Sequence, residues 1–447
     1  MSYLKVKQRA TTRISVPNFL SGVNSAYDQS VLSLGVAANC YNFDFTSGAL
    51  KDCVGFSDQE IEADSVWTYT VRGVKYLMWS KNGEIFYSAD NGQSGKLDGI
   101  LLSGLPRAIG YRLYGEDVVL ICSPSDNMVI WNGVDAPQIV SSSPLITSMT
   151  MHYERMFVTT SNEKNTLWFS DDLDPSNWNT DMTEGGFIEL ADERGALIRA
   201  LSFLNYVYIF RERGISRLTA YADQSEFSIS HLFVTSGKIY PSSIALCGDK
   251  VIFASSDGLF SFDGLSTKRI LSNLDGLIEP DENSVAVYHE GKYYLALRAN
   301  FGNDEKFDDQ EKNNAILIFG DNGYTLMRGY NVSEFYSSGE HLYAIIDGSV
   351  HTLGGDCAFA KRWTVPVTDL GSGRKKRIKI LYIDTTVDLT LTVTVDDERR
   401  EFFVQGKNTT SRVNINMCGR KFGMKIDCLQ NGAVISRPQL TFSKVDA

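Results

Sequence analysis

The sequence predicts an all-β chain, a β-propeller of about seven blades with a β-sandwich-like domain at its C-terminal end, and three observations carry that prediction. Short apolar runs are bounded by Gly, Asn, Asp and Ser, which is how strands are punctuated. One strand–turn–strand unit recurs along most of the chain. After Gly355 that unit gives way to strands with clean period-two alternation.

The recurring unit begins at Lys75, Asp117, Arg155, Tyr206, Lys250, Lys292 and His341, at gaps of 42, 38, 51, 44, 42 and 49 residues. "KYLMWSKNGEIFYSADNG" and "KVIFASSDGLFSFDG" are typical instances. A lone hairpin cannot bury both of its faces, whereas small twisted sheets set radially bury each against its neighbours and leave only short edges. A parallel α/β fold needs helices between its strands, and few segments sustain a 3.6-residue apolar period. An irregular pair of β-sandwiches is the competing architecture.

Residues 1–58 read as an arm and a closing hairpin, 59–358 as the propeller, and 359–447 as the C-terminal domain. In "CYNFDFTSGALKDCVGF" Gly48 sits in a turn between Phe45 and Leu50, followed by a strand suited to closing the ring. In the C-terminal part Leu389, Leu391, Val393 and Val395 alternate with Thr390, Thr392, Thr394 and Asp396. The acidic stretch 300–314 interrupts one blade and reads as a solvated loop.

Composition limits the function. The chain has 447 residues, 43% hydrophobic and 22% charged, which excludes a disordered chain and leaves room for a large core. The opening "MSYLKVKQRATTRISVPNFLSG" has no continuous apolar stretch after its basic residues, so no signal peptide is expected, and no run is long enough to imply membrane insertion. Seven dispersed cysteines favour free thiols and synthesis in a reducing cytoplasm, although Cys418 and Cys428 are close enough in sequence to pair. Residues 361–447 carry 16 Lys and Arg against 9 Asp and Glu, a net of +7. With the whole chain at −11, the first 360 residues sum to −18.

Motifs that could carry chemistry reduce mostly to turns. "TLWFSDDLDPSNWNT" places Asp171, Asp172 and Asp174 between Trp168 and Trp178, but lacks the alternating oxygen ligands and central Gly of a calcium loop. Asp174-Pro175-Ser176-Asn177 is turn chemistry instead. "SADNGQSG" from Ser88 resembles the Asp-box turn of sialidases, a structural hairpin turn in those families, with Gly95 where their Trp usually stands. A sialidase site needs converging arginines, and Arg72, Arg107, Arg211, Arg213 and Arg298 cannot be brought together from sequence. No pair among the five histidines has the i, i+4 spacing of a helical zinc site, and no Gly-x-Ser-x-Gly elbow is present. No catalytic residue, cofactor site or metal site is assigned, and an enzyme is not expected. The basic run "GSGRKKRIK" reads as a solvated hairpin or a docking site on acidic protein before it reads as a phosphate contact.

The order of several landmarks resembles the nozzle, or DNA-stabilisation, protein of short-tailed bacteriophages, and phage tail β-propellers more broadly. "NCYNFDFTSGALKDCVGF", "TLWFSDDLDPSNWNT", "LIRALSFLNYVYIFRERGISRLTAY", "SGKIYPSSIALCGDKVIFASSDGLFSFDG" and a closing "GRKFGMKIDC" come in the order found in such proteins. Each is weak alone; their sequence along most of the chain carries the resemblance. It implies a homo-oligomeric ring, a hexamer being one candidate, in the virion tail below portal and adaptor. It also implies contacts with other tail proteins and passage of duplex DNA without tight binding. Acidic blades facing such a lumen would repel the DNA backbone.

A subunit negative in one domain and positive in another can pack head to tail around an axis. Lys5, Lys7, Arg9, Arg13, Arg374, Lys375, Lys376 and Arg377 are the candidate contacts. The alternative function is a glycan-binding or glycan-cleaving propeller, which predicts exposed aromatics with carboxylates on one face. A cellular scaffold propeller is disfavoured, since the Trp-Asp repeat signature is absent and Gly354-Gly355 is a single kelch-like pair.

Overall fold

The computed structural model of the chain describes residues 10–16, 18–28, 32–181, 185–221, 224–302 and 312–445. Seven small antiparallel sheets follow one another as blades. Their innermost strands are Ser65–Val71, Arg107–Leu113, Ile146–His152, Leu197–Phe203, Ala245–Cys247, Val285–His289 and Val332–Ser337. The seven repeat starts read from sequence all fall within one residue of the start of the second strand of a blade. In four blades the tight turn joining first to second strand puts both central residues at positive φ, at Arg72-Gly73, Tyr114-Gly115, Leu204-Asn205 and Glu290-Gly291, matching the twist of the flanking strands.

Each neighbouring pair of blades shares an apolar core, so the ring holds itself by lateral wedging. Between blades 1 and 2, for instance, Tyr76, Met78, Val119 and Trp131 interdigitate. The smallest of these cores lies at the seam between blades 7 and 1, where only Ala63, Val66, Ile345 and Val350 are fully enclosed. The seam is closed by Gly55–Glu62, which becomes the outermost strand of blade 7 through Leu353↔Phe56 and Gly355↔Gly55. A Cβ on Gly55 would lie 2.3 Å from the Asp356 carbonyl oxygen, so this crossing needs glycine.

The strand after the Gly48 hairpin closes the ring, while the hairpin itself joins the sandwich. Phe43–Asp44 and Leu50–Asp52 form the hairpin around Gly48, but Leu50 pairs with Ile435 of the last strand, Val434–Lys444. Ring closure falls to the next strand, so the propeller starts at Gly55 rather than at residue 59. Thr11–Ser15 also lines up on Val434–Lys444, and Asn39–Tyr41 joins Lys361–Thr368. The C-terminal sandwich therefore has sheets of six and five strands and draws on both ends of the chain. Leu389, Leu391, Val393 and Val395 face its core as their alternation predicts. Trp363 is fully enclosed there, edge-on to Phe19 at 4.9 Å and to Phe45 at 5.8 Å.

The sandwich is fused to the rim of blade 6. One continuous core runs from Phe43, Phe45 and Trp363 into Tyr324, Leu326 and Leu295. The outer strand of that blade, Gly323–Arg328, would otherwise present a bare backbone edge, the part of a sheet most prone to wrong pairing. Asn42 covers it. In the left-handed region at φ +61, it donates its N–H to the Leu326 carbonyl at 2.8 Å. Its Oδ1 accepts from the Arg328 N–H at 2.8 Å and its Nδ2 donates to the Arg328 carbonyl at 3.1 Å.

Assigning strands to bodies rather than cutting the chain once sharpens the charge division. Residues 53–360 carry 22 Lys and Arg against 42 Asp and Glu, a net of −20, and the rest of the sequence, whose described strands build the sandwich, sums to +9. No helix among the described residues is long and apolar enough to cross a membrane.

Candidate functional site

The predicted contact residues separate into three groups. Lys5, Lys7 and Arg9 lie outside the described residues. Arg13 and Arg377, far apart in sequence, come to one face, because both strands pair with Val434–Lys444, at Thr441 and Ser443 respectively. The alternate residues Ile378, Leu381, Val413, Leu440 and Phe442 turn into the sandwich core, so Arg13, Arg377, Lys379 and Arg412 stand on its outer surface. Arg13 lies over the Tyr382 ring at 5.7 Å, and Lys379 Nζ donates to Thr11 Oγ1 at 2.9 Å. Arg374 and Lys375 are exposed on the adjoining loop.

Lys376 does not belong with them. Its side chain is fully buried, and its ammonium donates to the carbonyls of Ser372, Arg374 and Arg420. Burial holds it below the ordinary lysine value. It pins the loop from inside, which removes it from the surface charges. Lys361 and Arg362 are likewise structural: Lys361 is buried among the Cys357 and Gln430 carbonyls, and Arg362 pairs with Asp427 at 2.6 Å.

The aspartate stretch is a turn that builds a surface. Asn177 Nδ2 donates to Asp171 Oδ2 at 3.0 Å, and the Ser176 N–H donates to Asp174 Oδ1 at 3.0 Å. Trp178 is buried while Trp168 Nε1 donates to Glu163 at 2.7 Å. The turn lies against its neighbours in an unbroken chain of contacts. Tyr114 of blade 2 donates its hydroxyl to Asp174 Oδ2 at 2.6 Å, and the Leu173 N–H donates to the Glu154 carbonyl at 2.8 Å. Tyr153, next to Glu154, meets Tyr221 of blade 4 at 5.4 Å between ring centroids. The hydrogen bond to Asp174 holds the Tyr114 phenol above its ordinary value, so it stays a donor. Tyr114 is 81% exposed, and Tyr153, Leu173 and Tyr221 are all more than half exposed. An apolar crest with carboxylates at its foot therefore spans blades 2 to 4.

A second polar group lies in the central channel. Arg107 begins the inner strand of blade 2 and reaches across to Ser242, at the entry to blade 5, at 3.4 Å. Arg199 of blade 4 donates to the Pro241 carbonyl at 3.1 Å. Burial, then the nearby Arg107, holds Arg199 below its ordinary value. Glu334 of blade 7 has an enclosed Oε2 without a hydrogen-bond partner, and burial pushes its carboxyl up to about 8 against the opposing pull of Arg107. Three of the other arginines named in the sequence have partners elsewhere: Arg72 pairs with Glu116, Arg211 is buried on Asp192, and Arg298 faces Glu279.

Cys418 is exposed on one sheet of the sandwich and Cys428 buried on the other; both are free thiols, so they do not pair. Among the described residues no group of three or more His, Cys, Asp or Glu is placed to hold a metal. "SADNGQSG" is the turn between the two outer strands of blade 1, with Gly92 at φ +89.

No family model and no curated protein matches the sequence. Solved structures with similar architecture include a catalytically inactive virginiamycin B lyase from Staphylococcus aureus, at 12% identity and a TM-score of 0.44 over 67% of this chain and 99% of that one. BamB from Moraxella catarrhalis is similar at 12% identity and 0.41 over 77% and 97%, and the Neurospora crassa Pan2 WD40 domain at 9% and 0.42 over 67% and 90%. These are β-propellers. Likeness this remote reaches the architecture only, which the sheet order already establishes.

Two features of the surface escaped sequence reading. The crest residues Tyr114, Tyr153, Leu173 and Tyr221 lie in four separate turns, and only blade packing sets them side by side. Their one local signal is a bulky residue in a hairpin turn where Asn or Gly is usual, as in "LYGE" at 113–116. Arg199 and Glu334 sit on strands like any others, and nothing local marks them.

Proposed function

We propose that this chain is a structural subunit of a short-tailed phage tail, a nozzle-like ring component below portal and adaptor. In this reading it is made in the host cytoplasm, ends in the virion tail, retains packaged DNA and forms part of the ejection path. The role is mechanical rather than catalytic. The observation that carries the reading is the charge division, −20 over residues 53–360 and +9 over the rest of the sequence, between a propeller and a sandwich that share a core at blade 6. A strongly acidic propeller repels a passing phosphate backbone, while tight duplex binding needs a basic surface. The basic sandwich is free to hold neighbouring acidic protein. The order of landmark motifs supports the same assignment.

The deciding experiment is the native mass of the full-length protein, alone and with a purified portal complex of a short-tailed phage. A defined multimer with the portal is expected. A chain indifferent to the portal, or one forming a tight salt-sensitive complex with duplex DNA, overturns the reading.

One observation favours a second reading, a glycan-binding or glycan-cleaving propeller. Tyr114, Tyr153 and Tyr221 stand exposed beside Asp174 and Glu154 on one face, and aromatic faces with carboxylates suit sugar rings. Saturable binding or turnover of a host polysaccharide would establish it.

A further inference from the structure

The crest stands on blades 2 to 4, and the basic sheet face belongs to the sandwich, which shares a core with blade 6. In a closed circle of seven, the junction of blades 2 and 3 is the one furthest around the ring from blade 6. Tyr114 of blade 2 and Asp174 of blade 3 meet at that junction. The contacts of the crest and those of the sheet face run to different neighbours within the chain.

Their chemistry is complementary. The crest offers Tyr114, Tyr153 and Leu173 for contact, with Glu154, Asp171 and Asp172 beside them. The sheet face offers Arg13, Arg377, Lys379 and Arg412, with Arg374 and Lys375 on the adjoining loop. Tyr and Arg are the residues that protein interfaces concentrate, since an arginine stacks on a tyrosine face while bonding a carboxylate beside it. Apolar side chains this exposed and contiguous mark contact sites. A head-to-tail contact between unlike patches closes into a ring when the rotation allows.

We propose that the Tyr114–Tyr153–Leu173 crest of one copy receives the outer face of the six-stranded sheet, centred on Arg377 and Arg412, of a second copy. This rests on the ring reading above and names the two surfaces that join. Because the contact is charge-steered, it weakens as salt rises.

Charge reversal on full-length protein tests it. Glu154→Lys with Asp172→Lys alters the crest; Arg377→Glu with Arg412→Glu alters the sheet face. All four positions are exposed, so folding should survive, and circular dichroism confirms it. Sedimentation at low salt should show each pair weakening self-association by about tenfold or more. A chain carrying all four changes should recover it. Wild-type association in both two-site variants, or no recovery in the four-site variant, overturns the contact. If those variants also enter a portal complex at wild-type stoichiometry, the tail reading stands while this contact falls. Wild type that stays monomeric yet binds a host polysaccharide, with loss on Tyr153→Ala, gives the crest to a glycan and overturns the proposal.

Discussion

Asn42 substitutes for a missing strand beside Arg328, exchanging backbone and side-chain hydrogen bonds with it at 2.8 and 3.1 Å and so joining sandwich to propeller. Its Nδ2 also donates to the Ala360 carbonyl at 2.8 Å, and its own carbonyl accepts from the Cys53 N–H at 3.3 Å. One buried residue thus ties three segments to the rim of blade 6. The Arg328 guanidinium in turn lies 5.1 Å from the Tyr41 and Phe301 ring centres.

Asn42→Ala leaves the Arg328 N–H without its acceptor and places a Cβ residue at φ +61 without the local polar compensation that Asn enjoys. A loss of roughly 2–3 kcal/mol is expected, as for other buried polar groups stripped of partners. The urea midpoint measures it. Asn42→Gly relieves the backbone but not the lost bonds, so it should recover only part. Equal midpoints for all three proteins would remove the role assigned to Asn42.

Glu334 predicts a pH dependence. Its carboxyl stands at about 8 in the folded chain against a reference of 4.5, so the folded state holds a proton that the unfolded state has released. Its contribution is whole below about 4.5 and is lost as pH rises through about 8. Glu334→Gln, which cannot ionise, should flatten that decline, gaining on the order of 1–3 kcal/mol relative to wild type between pH 5 and pH 8.5. Thermal melts across that range decide it; parallel curves for the two proteins count against an enclosed carboxyl.

Thiol accessibility differs by position. Cys418 alone of the seven cysteines is exposed, and burial raises the thiols of Cys40, Cys53 and Cys122 well above the ordinary value and that of Cys247 to about 12. One equivalent of an aromatic disulfide reagent should react rapidly with native protein at pH 8, and the other six only on unfolding. Cys418→Ser should abolish the fast phase. Two or more fast equivalents would contradict the packing at the buried positions.

The seam between blades 7 and 1 has the smallest shared core, and its outer strand Gly55–Glu62 is the one contributed from a distant part of the chain. Local opening is expected to begin there. Hydrogen exchange followed by mass spectrometry should show peptides from 55–62 exchanging before those of the other outer blade strands. Protection equal to that of Thr267–Ile270 in blade 5 would refute the prediction.

The repeat, the blade count and the strands of each hairpin were legible in the sequence because they rest on short-range physics. Alternation sets which side of a strand is apolar, and Gly, Asn and Asp set where it turns, so Lys75, Arg155 or Lys250 could be placed without a partner in view. The aspartate stretch was also correctly read as a turn, since its bonds run between residues two to six apart. Pairing across hundreds of residues leaves no such local trace. That Leu50 meets Ile435, that Leu353 meets Phe56, and that Lys376 points inward while Arg377 points outward were decided by which edges remained open once the sheets had packed. The same long-range choice brought Arg13 beside Arg377 and Tyr114 beside Asp174, because a charge or an aromatic ring acquires neighbours only when distant backbones are laid side by side.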